Sequence, residues 1–293
     1  MSEQGHVSPQ ELERIFVDSI LPDYSLSERT SLDRPKAILL TGQPGAGKGG
    51  LARRIEAELQ DDVVTIDPEA LRDYHPDVRS LRETHPYTWA PHTQSDADIW
   101  SEKLLTNTAA LKKNLIYNAT LNNAEWLSEL IDELRLQGYE VEVRVVAAPK
   151  LESELGIDQR FTSNFDVNGY GRHTLSEVHD EAYDTLPACL DLLHQRTDVR
   201  IRIFYRDGVE LYDNAIHPQT PGAALTHAFE ARLKDPAITH QLRDGWRAQG
   251  VWHRDLTQRL ASTSTGVARQ ARGPAESQQA SSTWWKRLFG RRG

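Results

Sequence analysis

Ala37-Ile-Leu-Leu-Thr-Gly42-Gln-Pro-Gly45-Ala-Gly47-Lys48-Gly49 runs from an apolar segment straight into a glycine-rich turn that carries a lysine. The pattern G-x-x-x-x-G-K after a strand describes a phosphate-binding loop. Gly42, Gly45 and Gly47 can take backbone angles that residues with a Cβ avoid, so successive N–H groups can converge on phosphate oxygens, with Gln43, Pro44 and Ala46 completing the loop. Lys48 adds a full positive charge for the outer phosphates of a nucleotide. The next position is Gly49, where the usual motif has a Ser or Thr whose hydroxyl reaches magnesium.

Beyond the loop, Leu51, Ile55 and Leu59 recur at helical spacing. A helix is therefore predicted to begin there and to aim its N-terminal dipole at the same anion. Further strand-like runs lie at Val63 to Ile66, Asn114 to Thr120, Glu140 to Ala148 and Val199 to Tyr205, separated mostly by helical stretches. Such alternation implies parallel strands joined by crossover helices. Asp207-Gly208, between Ile201-Arg-Ile-Phe-Tyr205 and Val209-Glu-Leu-Tyr212, has the spacing of a tight antiparallel hairpin at one sheet edge. The expected fold is a three-layer α/β domain with a mostly parallel sheet, that edge hairpin and added terminal helices. Leu12, Ile15, Phe16 and Ile20 give residues 8 to 20 the apolar spacing of a helix packed on the core. The expected organisation is an N-terminal helical segment over 1–30, the main domain over 31–260, and a linker with a tail over 261–293.

At 293 residues and 38% hydrophobic content the chain can bury a sizeable core. It shows no apolar run of membrane-spanning length and no charged-then-apolar leader, so the expected location is cytoplasmic. Cys189 is the one cysteine, which excludes an intrachain disulfide and a cysteine-rich metal site. A formal charge of −9 argues against a general nucleic-acid surface and suits small phosphorylated ligands better. Residues 262–283 are dominated by Ser, Thr, Ala, Gly and Gln and read as a flexible linker. The chain then closes on Trp284-Trp-Lys-Arg-Leu-Phe-Gly-Arg-Arg-Gly293, an aromatic and basic run suited to weak contact with an anionic membrane, a protein partner or a secretion receptor. That run leaves delivery as a secreted effector open.

The acceptor chemistry is expected after the second strand, in Thr65-Ile66-Asp67-Pro68-Glu69-Ala-Leu-Arg72-Asp-Tyr-His75-Pro76. Two carboxylates stand there at a strand's C-terminal end, where ligand sites of α/β sheets form. Transfer of a phosphoryl group to a hydroxyl requires a carboxylate near the attacking oxygen to take its proton. Taken alone, Asp67 and Glu69 serve equally well as helix-capping acids.

Across residues 37 to 214 the sequence resembles the zeta toxin family, phosphoryl-transferring members of toxin–antitoxin systems with a P-loop kinase fold. The matching runs are Gly42 to Lys48, Ile66-Asp-Pro-Glu69, Asn114-Leu-Ile-Tyr-Asn-Ala-Thr120, Ala148-Pro-Lys-Leu-Glu-Ser-Glu-Leu-Gly156 and Ile157-Asp-Gln-Arg160-Phe. They continue through Gly171-Arg172-His-Thr, His179-Asp180, Leu186-Pro187 and Tyr205-Arg-Asp-Gly-Val-Glu-Leu-Tyr212. The resemblance implies ATP-dependent phosphorylation of the sugar 3′-hydroxyl of UDP-N-acetylglucosamine, with Mg²⁺, and an antitoxin protein as partner. It implies that Lys48 is the loop lysine, that Glu69 is the general base where the family usually has aspartate, and that Asp67 is the reserve base or magnesium ligand. Arg160 and Arg172 match the arginines that contact nucleotide phosphates. Glu102, on a helix expected over Asp96 to Lys113, and Thr120 match groups facing the sugar substrate. Asn118 stands where the family pattern has Glu, and an amide cannot replace a carboxylate as base or metal ligand. Two alternatives follow: Asn118 and the basic tail point to a related effector kinase with another nucleotide or dinucleotide acceptor, and Gly49 with Asn118 points to an attenuated nucleotide- or antitoxin-binding module.

Overall fold

The computed structural model describes residues 7–119 and 123–267. Six strands form one sheet: β1 (Lys36–Thr41), β2 (Val64–Ile66), β3 (Leu115–Asn118), β4 (Glu140–Ala147), β5 (Arg200–Tyr205) and β6 (Glu210–Asp213). Their order is β2-β3-β1-β4-β5-β6. Every pairing is parallel except β5 with β6. The edge pair is the expected hairpin, closed by Gly208 at φ 89° with its N–H donating to Tyr205 O. The strand expected to reach Thr120 ends at Asn118, and Thr120 lies outside the described residues.

Alternation along β1 sorts the two faces. Ala37 and Leu39 point into the larger apolar cluster, Ile38 and Leu40 into the smaller. The larger cluster gathers helices Gln94–Ala110, Ala124–Leu136, Ser176–Arg196 and Pro221–Lys234 through residues such as Leu104, Ile131, Leu190 and Leu225. The smaller cluster is built around the loop helix Lys48–Glu58, whose Leu51 and Ile55 are buried. Two helical layers therefore enclose the sheet unequally. On the thinner side, the lower half of β4 and β5 carries charge in place of apolar residues. Arg144, almost fully buried, bonds Glu58 at 2.6 Å and Glu142 at 2.7 Å, while Arg202 bonds Glu142 at 3.1 Å and pairs with Glu210.

The N-terminal helix starts at Pro9 under the cap of Ser8, whose hydroxyl accepts from the Glu11 N–H. After Ile15 the winding widens into a π-helical stretch, Phe16–Ile20, before a last turn at Leu21–Tyr24. Pro22 has no N–H for the carbonyl four residues back, which favours such loosening. Leu12, Ile15, Phe16 and Ile20 join the larger cluster as the spacing predicts.

By contact the chain forms two units, residues 1–249 and 250–293. The described part of the second unit is the end of the helix Pro236–Val267. No helix among the described residues is long and apolar enough to cross a membrane.

Trp100 ties the N-terminal helix to this framework, being fully buried with its indole N–H donating to Leu12 O at 3.0 Å. Trp100→Ala is expected to lower stability by about 3–5 kcal/mol. Trp100→Phe, which keeps the ring and loses the donor, should cost about 1 kcal/mol. Urea unfolding of the three proteins at a common slope reads both values.

Candidate active site

The loop after β1 is seated by backbone contact. Gly42, Gly45 and Gly47 all have positive φ, at 144°, 78° and 104°. A Cβ on Gly45 would lie 2.0 Å from Ser153 O, and one on Gly156 would lie 2.4 Å from Gly45 O. Two main chains therefore touch where the loop crosses the helix Lys150–Asn168, and only glycine permits that approach. Gln43 adds a side-chain tie, its amide donating to Ala148 O at 2.5 Å and Ser153 Oγ at 3.2 Å. Gly47 caps the helix Lys48–Glu58, so the helix N-terminus and the loop amides share one concavity.

Lys48 Nζ donates to Gly42 O at 2.6 Å and to Gln43 O at 3.4 Å. Burial pushes its pKa down to about 8, with Asp67 opposing that shift and the Arg160 and Arg172 guanidiniums adding to it. Lys48 follows β1 and Asp67 follows β2, so these groups gather near the C-terminal ends of the two strands. Burial lowers the pKa of Arg160, and brings Arg172 to about 10, with Asp67 favouring the charged form of each. Arg160 spends one Nη2 contact on Thr174 Oγ1, at 3.3 Å, while its buried Nε has no hydrogen-bond partner. A buried guanidinium with an unsatisfied donor beside a lysine is the donor set that a polyphosphate completes.

Asp67 caps the short helix Pro68–Leu71, its Oδ1 accepting from the Glu69 N–H at 3.0 Å. Burial raises its pKa, partly offset by a hydrogen bond from the Asn118 amide and by the three cations. A glutamate at position 118 would repel that carboxylate, whereas the amide donates to it. Glu69 is held by two guanidiniums: Arg72 reaches Oε2 at 3.1 Å and Oε1 at 3.2 Å, and Arg172 pairs with Oε2. Arg72 is itself buried and also bonds Ala90 O, Gln94 and Thr93 Oγ1. Neither motif nor family resemblance points to Arg72. Its signal was the spacing, since residues 69 and 72 share one face of a helical turn.

Of the acceptor-side candidates, Asn118 joins this group directly. Glu102 does not: it is exposed on the helix Gln94–Ala110, where its charge is felt by Tyr117. One turn before it stands Asp98, half-buried, with its pKa raised by burial and moderated by Gln94 and Arg72. Tyr117 is buried, 3.4 Å from Ser101 Oγ and in ring contact with the half-exposed Trp126. Asp98, Tyr117 and Trp126 were not singled out from sequence, because their proximity comes from packing the helix on β3.

The residues fit a nucleotide triphosphate on the strength of the glycine cradle, Lys48 and the Arg160 guanidinium. For magnesium the chain offers the Asp67 carboxylate, while Gly49 offers no side-chain oxygen. A Cβ on Gly49 would meet nothing nearer than Arg53 Nη1 at 4.0 Å, so the missing hydroxyl is a matter of residue identity and not of space. A metal with one protein ligand and several waters agrees with magnesium's habits.

The family model described as Zeta toxin matches residues 23–217. Toxin zeta of Enterococcus hirae is 29% identical over 209 residues, 70% of this chain and 71% of that protein. Toxin PezT of Streptococcus pneumoniae serotype 4 is 30% identical over 188 residues, 64% of this chain and 74% of that protein. Among solved structures, a chain from the PezAT chromosomal toxin-antitoxin system of Streptococcus pneumoniae matches with a TM-score of 0.75 at 24% identity. That match covers 85% of this chain and 98% of the other, and shows a common fold.

The lowered pKa of Lys48 has a measurable sign. At pH 8.5 much of Lys48 is neutral in the free protein, and a docked polyanion favours its ammonium form. Nucleotide binding at that pH should take up protons, seen as a calorimetric enthalpy that varies with buffer ionisation heat. Lys48→Arg, charged throughout, should remove the dependence. For folding, the unfolded lysine keeps its proton up to about 10.5, so this group's contribution to stability rises with pH between about 8 and 10.5.

Proposed function

The chain belongs to the zeta toxin family, and on that footing we propose that it is an ATP-dependent kinase acting on the sugar 3′-hydroxyl of UDP-N-acetylglucosamine. The observation that carries the reading is the meeting of Lys48, Arg160 and Arg172 with Asp67 and Glu69 at the C-terminal ends of β1 and β2. The loop amides and Lys48 would hold the outer phosphates of ATP, and Arg160 would turn its guanidinium toward them. Bound Mg²⁺ would supply neutralising charge on those phosphates, with Asp67 as its protein ligand. Arg172 would exchange Glu69 for phosphate, freeing Glu69 Oε2 while Arg72 keeps the carboxylate aimed. The acceptor oxygen attacks the γ-phosphorus as the bridging β–γ P–O bond breaks. Its proton passes to Glu69 Oε2, and ADP leaves with the bridging electron pair. No covalent enzyme intermediate is needed.

The biological reading follows the relatives: phosphorylating this nucleotide sugar would remove a precursor of cell-wall synthesis, and a protein antitoxin would hold the kinase in check. A solved relative comes from a toxin-antitoxin system, which supports the partner. A second acceptor, another nucleotide or a dinucleotide, is favoured by one observation. At position 118 the family's carboxylate is replaced by an amide that donates to Asp67 and has a buried Oδ1 without a hydrogen-bond partner. Such an oxygen suits a donor on the acceptor, where a carboxylate would suit other contacts.

A panel of acceptors incubated with ATP, Mg²⁺ and the purified protein, read by a mass gain of one phosphate, separates these. Modification of UDP-N-acetylglucosamine is expected; modification of another acceptor alone would overturn that assignment. Glu69→Gln should lower kcat by about 10²- to 10⁴-fold with nucleotide binding retained. If Glu69→Gln keeps full kcat while Asp67→Asn loses it, the roles of the two carboxylates are reversed.

Gly49→Ser restores the missing hydroxyl where there is room for it. The magnesium concentration for half-maximal rate should fall severalfold, by the order of one added ligand. An unchanged requirement would mean that water fills this coordination position equally well.

A further inference from the structure

Behind the phosphate loop runs a line of buried polar groups that the transfer chemistry does not use. Gln43 Nε2 donates to Ser153 Oγ at 3.2 Å, Ser153 Oγ lies 2.8 Å from His179 Nε2, and His179 Nδ1 lies 3.2 Å from Asp180 Oδ1. Lys150 Nζ closes the line on Asp180 at 2.8 Å. Gln43, Ser153 and His179 are each at most 1% exposed. The ring of His179 is fixed in orientation by stacking on Tyr183, which in turn stacks on Phe229 with centroids 4.9 Å apart.

The donor inventory gives this line a direction. The Asp180 carboxylate only accepts, so the Nδ1 that faces it carries the proton. In the neutral ring Nε2 is then an acceptor and receives the Ser153 hydroxyl proton, leaving the Ser153 lone pairs for the Gln43 amide. Turning the Gln43 amide over would set its oxygen against Ala148 O, so the assigned orientation is the one that satisfies the site. Each group thus donates outward, from the loop to Asp180, and chains of this kind strengthen one another in a low-dielectric interior. Without His179, the Ser153 hydroxyl would turn to Lys150 O or Pro149 O, 3.0 and 3.3 Å away, and its lone pairs would turn with it.

Glu154, His179 and Asp180 also lie close enough together to suggest a cation site. The Lys150 ammonium already occupies Asp180, and His179 Nε2 is committed to Ser153, so the hydrogen-bonded line is the better account.

We propose that His179 is a positioning residue for the phosphate loop: through Ser153 it fixes the Gln43 side chain, and with it the loop carbonyls that hold Lys48. The assignment rests on the phosphate-loop reading of the site. It concerns the shape of the nucleotide cradle and not the phosphoryl transfer itself.

Calorimetric titration of the full chain with ADP and Mg²⁺ tests it on wild type, Lys48→Ala, Ser153→Ala, His179→Ala, His179→Asn and His179→Gln. Gln can place an amide oxygen at the height of Nε2 and keep the Ser153 contact; Asn reaches only the height of Nδ1. Ser153→Ala, His179→Ala and His179→Asn should weaken ADP binding about tenfold, the cost of one buried hydrogen bond. His179→Gln should bind within about twofold of wild type, by the same reasoning. Wild-type affinity in His179→Ala and His179→Asn, with Lys48→Ala impaired, would overturn the inference alone. Equal weakening in Asn and Gln variants, tracking their melting temperatures, would also overturn it by reducing His179 to packing. If Lys48→Ala binds ADP as wild type does, the phosphate-loop reading itself fails, and the inference with it.

Discussion

Cations gathered out of water are the constraint around which this molecule is arranged. Burial disfavours the charged forms of Lys48, Arg160 and Arg172, and the two guanidiniums add to that cost at Lys48. Asp67 and Glu69 offset part of that cost, and in doing so are themselves pinned. The cluster therefore holds more positive than negative charge, and the buried Nε of Arg160 has no hydrogen-bond partner. A polyphosphate entering this cleft relieves strain that the folded chain already carries, which is how binding energy can be stored in a resting site.

Geometry keeps that imbalance from relaxing. The main-chain contact between Gly45 and Gly156 leaves no slack in the loop, and the Gln43 amide is held from behind. The loop cannot fold its carbonyls away from Lys48 or turn them toward the arginines. Arg72, fixed by three further partners, does the same for Glu69. Preorganisation here lies in the supports more than in the groups that would meet a substrate.

Much of the frame was readable along the chain because its causes are local. The loop glycines, the apolar run of β1, the Asp207-Gly208 turn and the spacing of the N-terminal helix all act within a few residues of themselves. Asp67 and Glu69 were readable as a carboxylate pair at a strand end, though not which of them meets Arg72. Arg160 and Arg172 became candidates only through resemblance, since nothing near them in sequence announces a phosphate. Gly156 and His179 stood in the matching runs as letters, and their work depends on contacts across 111 and 26 residues. The departure of Glu102 from the inner group is of the same kind: helical spacing gives its face, but only packing gives its distance. Arg144 was illegible for a similar reason, because a lone charge in an apolar strand needs partners from elsewhere to be explained.

Those partners give the charged side of the sheet a use. Along β4, Val141, Val143 and Val145 face one way while Glu142 and Arg144 face the other. Sliding the strand by a single residue would bury both charges in the apolar cluster and set valines against Glu58 and Arg202, stripping those charges of their partners, so two penalties exclude the slip. The strand is thereby indexed from its lower end, where the ion pairs sit. Its upper end delivers Ala148, whose carbonyl receives the Gln43 amide. A ladder of salt bridges remote from any phosphate thus serves as the ruler against which the phosphate loop is cut to length.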